Sequence, residues 1–138
     1  MKWKLIFQLS IFGAIIAFGT ISLIPEKTEP YFWLATFIFC AFVIARQCAT
    51  KQFWHGFWLS MANCVWIIIA HGWFFNSYIT HHADMRSTNP VMNPFPSHPR
   101  IVMLIFSPIF GAIAGLVQGL FAFIVSRFVK PFGYKAKA

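Results

Sequence analysis

Acidic residues are nearly missing: three Asp and Glu stand against eleven Lys and Arg in 138 residues, and charged residues of both signs make up only 10% of the chain. An ordinary soluble domain carries roughly 25%. With 59% hydrophobic residues, 20% aromatic residues and a mean hydropathy of +0.68, too little polar surface remains to cover a globule in water. Lipid is the expected solvent, and disordered and collagen-like classes are excluded. Cysteine is scarce as well. Cys40, Cys48 and Cys64 form no CxxC pair and no zinc spacing, which excludes a disulfide framework and leaves them as small buried hydrophobes. No GxSxG elbow and no phosphate-cradling glycine loop before a lysine occurs, so the chain is not expected to be an enzyme and no cofactor is expected.

What the chain does have is long apolar runs. Cutting it at charges and prolines leaves four, at about 5–24, 31–49, 53–80 and 101–129, each near the roughly 20 residues that cross a 30 Å hydrocarbon layer as a helix. They lack the period-2 alternation of barrel strands, and in lipid every backbone polar group needs an internal partner, so all four are expected to be helices. The first run exceeds the 7–15 apolar residues of a secretory signal, so it is read as a retained helix despite the small-residue pattern Ala17-Phe18-Gly19. The separators are the polar turn Pro25 to Pro30, a short connection from Gln47 to Gln52, and a longer proline-rich loop over 81–100.

Lys2, Lys4, Arg46, Lys51, Arg127, Lys130, Lys135 and Lys137 fall on one side of such a bundle, while Lys27, Arg86, Arg100 and all three acids fall on the other. The positive-inside rule therefore predicts an all-α integral membrane four-helix bundle with both termini cytoplasmic. Anionic lipids at the cytoplasmic face are the expected partners, each basic side chain gaining roughly 1 kcal/mol there. Nucleic acid is not expected, because the basic tail is only a few residues long and carries no folded module.

Within the spans, Ser107, Gly111, Gly115 and Gly119 recur at intervals of four, a stripe with almost no side chain that predicts close helix packing. Its partner is either helix one, through Ser10, Gly13, Ala14 and Ala17, or a second copy of the chain. The third run carries a polar seam of Asn63, His71 and Tyr78, expected to bond across to residues such as Gln118. The spans hold no carboxylate, which argues against a proton pump or cation transporter. The loop gathers His81, His82, Asp84, Met85 and His98, side chains that suit copper or zinc, although their spacing matches no metal motif.

The stretch from Phe57-Trp58-Leu59-Ser60-Met61-Ala62-Asn63-Cys64 through His71 and Tyr78, with Pro99-Arg100, Ser107-Pro108-Ile109-Phe110-Gly111 and Gly115-Leu116-Val117-Gln118-Gly119, resembles small bacterial four-helix membrane proteins grouped as a domain of unknown function, the 4199 family. The resemblance covers the second half of the chain; the first half shares only the hydrophobic pattern. It implies a bacterial cytoplasmic membrane and no known activity. The expected role is a noncatalytic structural or accessory subunit acting through helix contacts. The alternatives are proton or transition-metal transport along a path containing His71, and an enzyme subunit in a larger complex.

Overall fold

The computed structural model describes residues 1–25, 27–81 and 99–132, excluding the side chains of Pro99 and Arg100, and among these residues it contains only helices, turns and bends. The helices are α1 (Trp3–Gly19), α2 (Glu29–Gln47), α3 (Gln52–Trp73), α4 (Phe75–His81) and α5 (Pro99–Phe128). Three of them, α2, α3 and α5, are long and apolar enough to cross a membrane. The 17 residues of α1 are equally apolar but extend only about 25 Å. Large hydrophobic side chains cover the outside: Phe7, Ile15, Tyr31, Phe110 and Leu116 are all more than half exposed. The chain thus folds as a helical membrane protein, apolar on its surface and polar in parts of its interior.

Two helix boundaries depart from expectation. The first helix stops at Gly19 rather than near residue 24, because the chain turns there and the N–H groups of Leu23 and Ile24 both fold back onto the Gly19 carbonyl at 2.9 Å. Pro25 follows, without an N–H to continue the ladder. The third run is broken at Phe74 into α3 and α4, just after Gly72, so it is not one rod over 53–80. Elsewhere local chemistry matches the boundaries. Glu29 and Pro30 open α2, an acid near the positive helix end and a ring that needs no partner for its nitrogen, while Arg46 lies in its last turn. The tight connection into α3 relies on Lys51, which takes the left-handed conformation at φ 59°.

The helices alternate in direction. Lys2 meets His55, and Gly13 meets Asn63, so α1 runs parallel to α3; α5 runs against α3, with Gly119 beside Phe53 and Gly111 beside Cys64. α2 lies against α5, the Gln118 amide donating to the Phe37 carbonyl at 3.2 Å and the Phe132 N–H to the Arg46 carbonyl at 2.8 Å. The order around the bundle is α1, α3, α5, α2, with α3 and α5 sharing the largest interface and α1 and α2 barely touching. Lys2, Lys4, Arg46, Lys51, Arg127 and Lys130 all fall at one end. There Ile6, Leu9, Cys40, Ala41, Ile44, Leu59 and Ala122 form a core shared by four helices. Toward the other end, among the described residues, the buried cluster is smaller, Ala17, Ile21 and Ala70 between α1 and α3, and the first half of α2 is largely uncovered.

Candidate functional site

The glycine stripe of α5 is occupied by α3, neither by helix one nor by a second copy of the chain. A Cβ on Gly111 would lie 2.7 Å from Cys64 Cβ, one on Gly115 2.9 Å from the Phe57 ring, and one on Gly119 2.8 Å from the Phe53 carbonyl. Gly56 of α3 answers from the other side, with its Cβ position 2.6 Å from the Gln118 carbonyl. Ser107 turns its hydroxyl onto the Met103 carbonyl at 2.6 Å, and its own carbonyl accepts the Cys64 thiol at 3.1 Å. The small residues of α1 also pack against α3. Ser10, Gly13 and Ala17 face Trp66, Asn63 and Ala70, and the Trp66 indole donates to Ser10 Oγ at 3.2 Å. α3 is therefore gripped on two sides by helices that lack side chains at the contact, which permits the close approach that dispersion forces require.

The polar seam of α3 faces α1, not α5, because the Phe53, Gly56, Phe57 and Cys64 side is already taken by α5. Asn63 and His71 accordingly do not bond to Gln118. His71, 6% exposed, lies with Nε2 2.9 Å from Thr20 Oγ1, and Thr20 gives its single hydroxyl proton to the Ala17 carbonyl at 2.9 Å. Nε2 is then assigned as the donor to the Thr20 oxygen. Tyr78 of α4 folds back over the imidazole, its ring stacked at 4.1 Å and 21°. The break at Phe74 makes this possible, since side chains seven residues apart on an unbroken helix sit about 10 Å apart along its axis.

Among the described residues, the buried oxygens Asn63 Oδ1 and Gln118 Oε1 have no hydrogen-bond partner. Asn63 Oδ1 presses on Gly13, in the direction a Cβ would occupy, so a Gly13 Cα–H is directed at it and supplies a weak C–H···O contact. Gln118 uses its amide nitrogen on Phe37 and leaves its oxygen bare.

At the cationic end a further polar contact ties the N-terminus down. His55, 3% exposed, accepts the backbone N–H of Lys2 at Nε2 (2.9 Å) and donates from Nδ1 to the Lys51 carbonyl at 2.8 Å, which assigns a neutral ring with its proton on Nδ1. Lys2 Nζ reaches the Gln47 carbonyl at 2.5 Å, and Arg46 lies over the Phe132 ring at 4.4 Å. Cys48 is enclosed here. Burial pushes its thiol up, opposed by the charges of Lys2 and the N-terminal amine.

The loop ligands do not form a described site. His81 is exposed and bonds through Nδ1 to the Ser77 carbonyl at 2.9 Å, while His82, Asp84, Met85 and His98 lie outside the described residues. Among the described residues no three His, Cys, Asp or Glu side chains gather into a metal-binding group.

Two of the grooves on the described surface run along α1. One, about 600 Å³, is lined by apolar residues including Ile11, Ile15, Phe18, Leu23 and Phe32; the other, about 420 Å³, by Lys2, Trp3, Lys4, Leu5, Gln8 and Gln47. Neither reaches Asn63, His71 or Gln118. Sequence reasoning missed Thr20 and Gly56: the first is a lone threonine after a glycine, whereas the second opens a row of small residues at intervals of four, Gly56, Ser60 and Cys64, a signal the sequence did offer. Comparison with known proteins returned no matching family model, no matching curated protein and no matching solved structure.

Proposed function

We propose that the protein is a noncatalytic component of a bacterial cytoplasmic membrane, a four-span bundle with both termini in the cytoplasm, that serves as a structural or accessory subunit. One observation carries the reading: the polar side chains inside the spans are used to tie helices together. His71 holds Thr20, Trp66 holds Ser10, Gln118 holds Phe37, and neither groove leads to them. Chemistry or conduction needs polar groups that a substrate can reach. The resemblance to the 4199 family supports the same assignment and adds no activity.

The partner is expected on the uncovered half of α2, where Tyr31, Leu34 and Ile38 are each about half exposed or more. A photo-crosslinking residue in place of Leu34 is expected to trap one membrane protein in stoichiometric yield, recovered also by mild-detergent copurification of the unmodified chain. Recovery of monomer alone in both experiments would remove the accessory role.

A second reading, proton or transition-metal transport, is favoured by the two bare amide oxygens of Asn63 and Gln118. It requires that liposomes containing the protein pass protons or a transition metal and that His71→Ala stop the flux. Because His71 is enclosed by Thr20 and Tyr78, the expected result is no flux above that of empty liposomes from either the parent or the variant.

A further inference from the structure

The seam between α1 and α2 is ordered along its length in a way the packing of the bundle does not explain. Lys4, Gln8, Ile11 and Ile15 follow one another at intervals of four, three and four, so they form one stripe on α1, and all four are exposed. The stripe links the two grooves. Lys4 and Gln8 line the one at the cationic end, Ile11 and Ile15 the apolar one, and α2 closes the seam with Gln47 at the first and Phe32 at the second. Phe12 of α1 and Phe39 of α2, both exposed, meet edge to face at 5.2 Å.

The Gln8 amide is the informative group. It sits about 6 Å, slightly more than one turn, below Lys4 on a helix face exposed to lipid, where a polar side chain without a partner is costly. Neither Gln8 nor the Lys4 ammonium has a hydrogen-bond partner among the described residues. Lys2 stands beside them, held in place by the Gln47 carbonyl, and Trp3 supplies an amphipathic ring at the same level, packed at 5.9 Å on Trp58. Reading from the end inward, the seam offers two cations, then an amide donor, then an apolar channel. Ile15 lies about 16 Å from Lys4 along the helix, close to half the thickness of the hydrocarbon layer.

We propose that this seam is a binding site for one anionic phospholipid: the phosphate between Lys2 and Lys4, an ester carbonyl on the Gln8 amide, and one acyl chain along Ile11 and Ile15 against α2. The order of charge, amide and hydrocarbon matches a phospholipid and not a free anion, which has no use for Gln8 or the isoleucines. The site deepens the membrane assignment made above and rests on it. It also gives α1 and α2, which scarcely touch, a common ligand.

The test uses the full chain in nanodiscs of equimolar phosphatidylglycerol and phosphatidylcholine, released into native mass spectrometry. The expected result is one phosphatidylglycerol retained per chain. Lys4→Gln combined with Gln8→Leu is expected to lower that retention at least about fivefold, the scale of one lost cation at an anionic surface. Lys51→Asn removes a charge from the same end outside the seam, with a residue that tolerates the left-handed backbone, and is expected to change retention less than twofold. Lys4 and Gln8 are exposed, so the double variant is expected to fold, as its tryptophan emission would report.

Equal loss in the double variant and in Lys51→Asn would replace the site by diffuse attraction to a basic surface. Equal retention of the two lipids, complete displacement by millimolar inorganic phosphate, or occupation of the seam by a second copy of the chain would each overturn the proposal. Carbonate extraction, and the shielding of a label on Lys137 from an impermeant reagent in intact cells, report the membrane assignment separately.

Discussion

Replacing Gly56 with alanine is expected to part α5 from α3 and to lower the SDS concentration at which half the protein unfolds in mixed micelles. The methyl group would sit 2.6 Å from the Gln118 carbonyl oxygen and 2.9 Å from Gly119 Cα. Both obstacles are main-chain atoms, so no rotamer change relieves them and the helices must separate. Gly119 is no more forgiving, since its own missing Cβ faces the Phe53 carbonyl. Overpacking a close-packed interior costs about 1–3 kcal/mol, and with backbone on both sides the upper end is expected here. Gly72→Ala is the control. Among the described residues its methyl would meet nothing nearer than Met103 Cε at 4.0 Å, and a glycine-to-alanine change inside a helix gains up to about 1 kcal/mol, so this variant is expected to match or exceed the parent in stability. A parental unfolding midpoint for Gly56→Ala would mean that the α3–α5 crossing is wider than described.

The second large effect lies on the opposite side of α3. Gly13→Ala would drive a methyl into Asn63 Oδ1 and Cγ, where α1 packs on α3. The expected loss is again about 1–3 kcal/mol. Here the obstacle is a side chain, so the clash is removable. Asn63→Ala in the Gly13→Ala background is expected to restore most of the stability, a coupling of about 1 kcal/mol or more between neighbours in contact. Asn63→Ala alone is expected to cost less than Gly13→Ala, because the amide oxygen it removes has no hydrogen-bond donor to lose. Additive effects of the two substitutions, measured as a double-mutant cycle by SDS titration, would show that Gly13 and Asn63 do not touch.

Composition made the apolar helical fold legible, and the positions of the lysines and arginines between the runs are enough to place Lys2, Lys4, Arg46, Lys51, Arg127 and Lys130 at one end. Small residues lie at both of the packing faces described above, Ser107 to Gly119 at intervals of four on α5 and Ser10, Gly13 and Ala17 at intervals of three and four on α1. Their partner was not legible. Periodicity tells which face of a helix is small but not which helix fills it: α3 carries its own row of small residues at intervals of four, Gly56, Ser60 and Cys64, all buried, and nothing in the spacing pairs that row with α5 rather than with α1. Likewise the interval from Asn63 to His71 placed them on a common face, while the choice of Thr20 over Gln118 as partner depended on which neighbour occupied that face. The stacking of Tyr78 on His71 lay beyond any periodic argument, because it exists only where the helix is interrupted. The metal-ligand cluster proposed for 81–98 falls, His81 apart, outside the described residues.

The ring order α1, α3, α5, α2 has a consequence for biogenesis. Segments leave the ribosome in chain order, yet the first two to emerge are neighbours with almost no shared surface, and the second finds its main contact only in the last. The early hairpin must wait in the bilayer as loosely associated rods until the final segment arrives and locks both halves together. A nascent chain stalled before that segment would already hold α1 against α3, but would leave α2 without its main partner and the small-residue side of α3 uncovered.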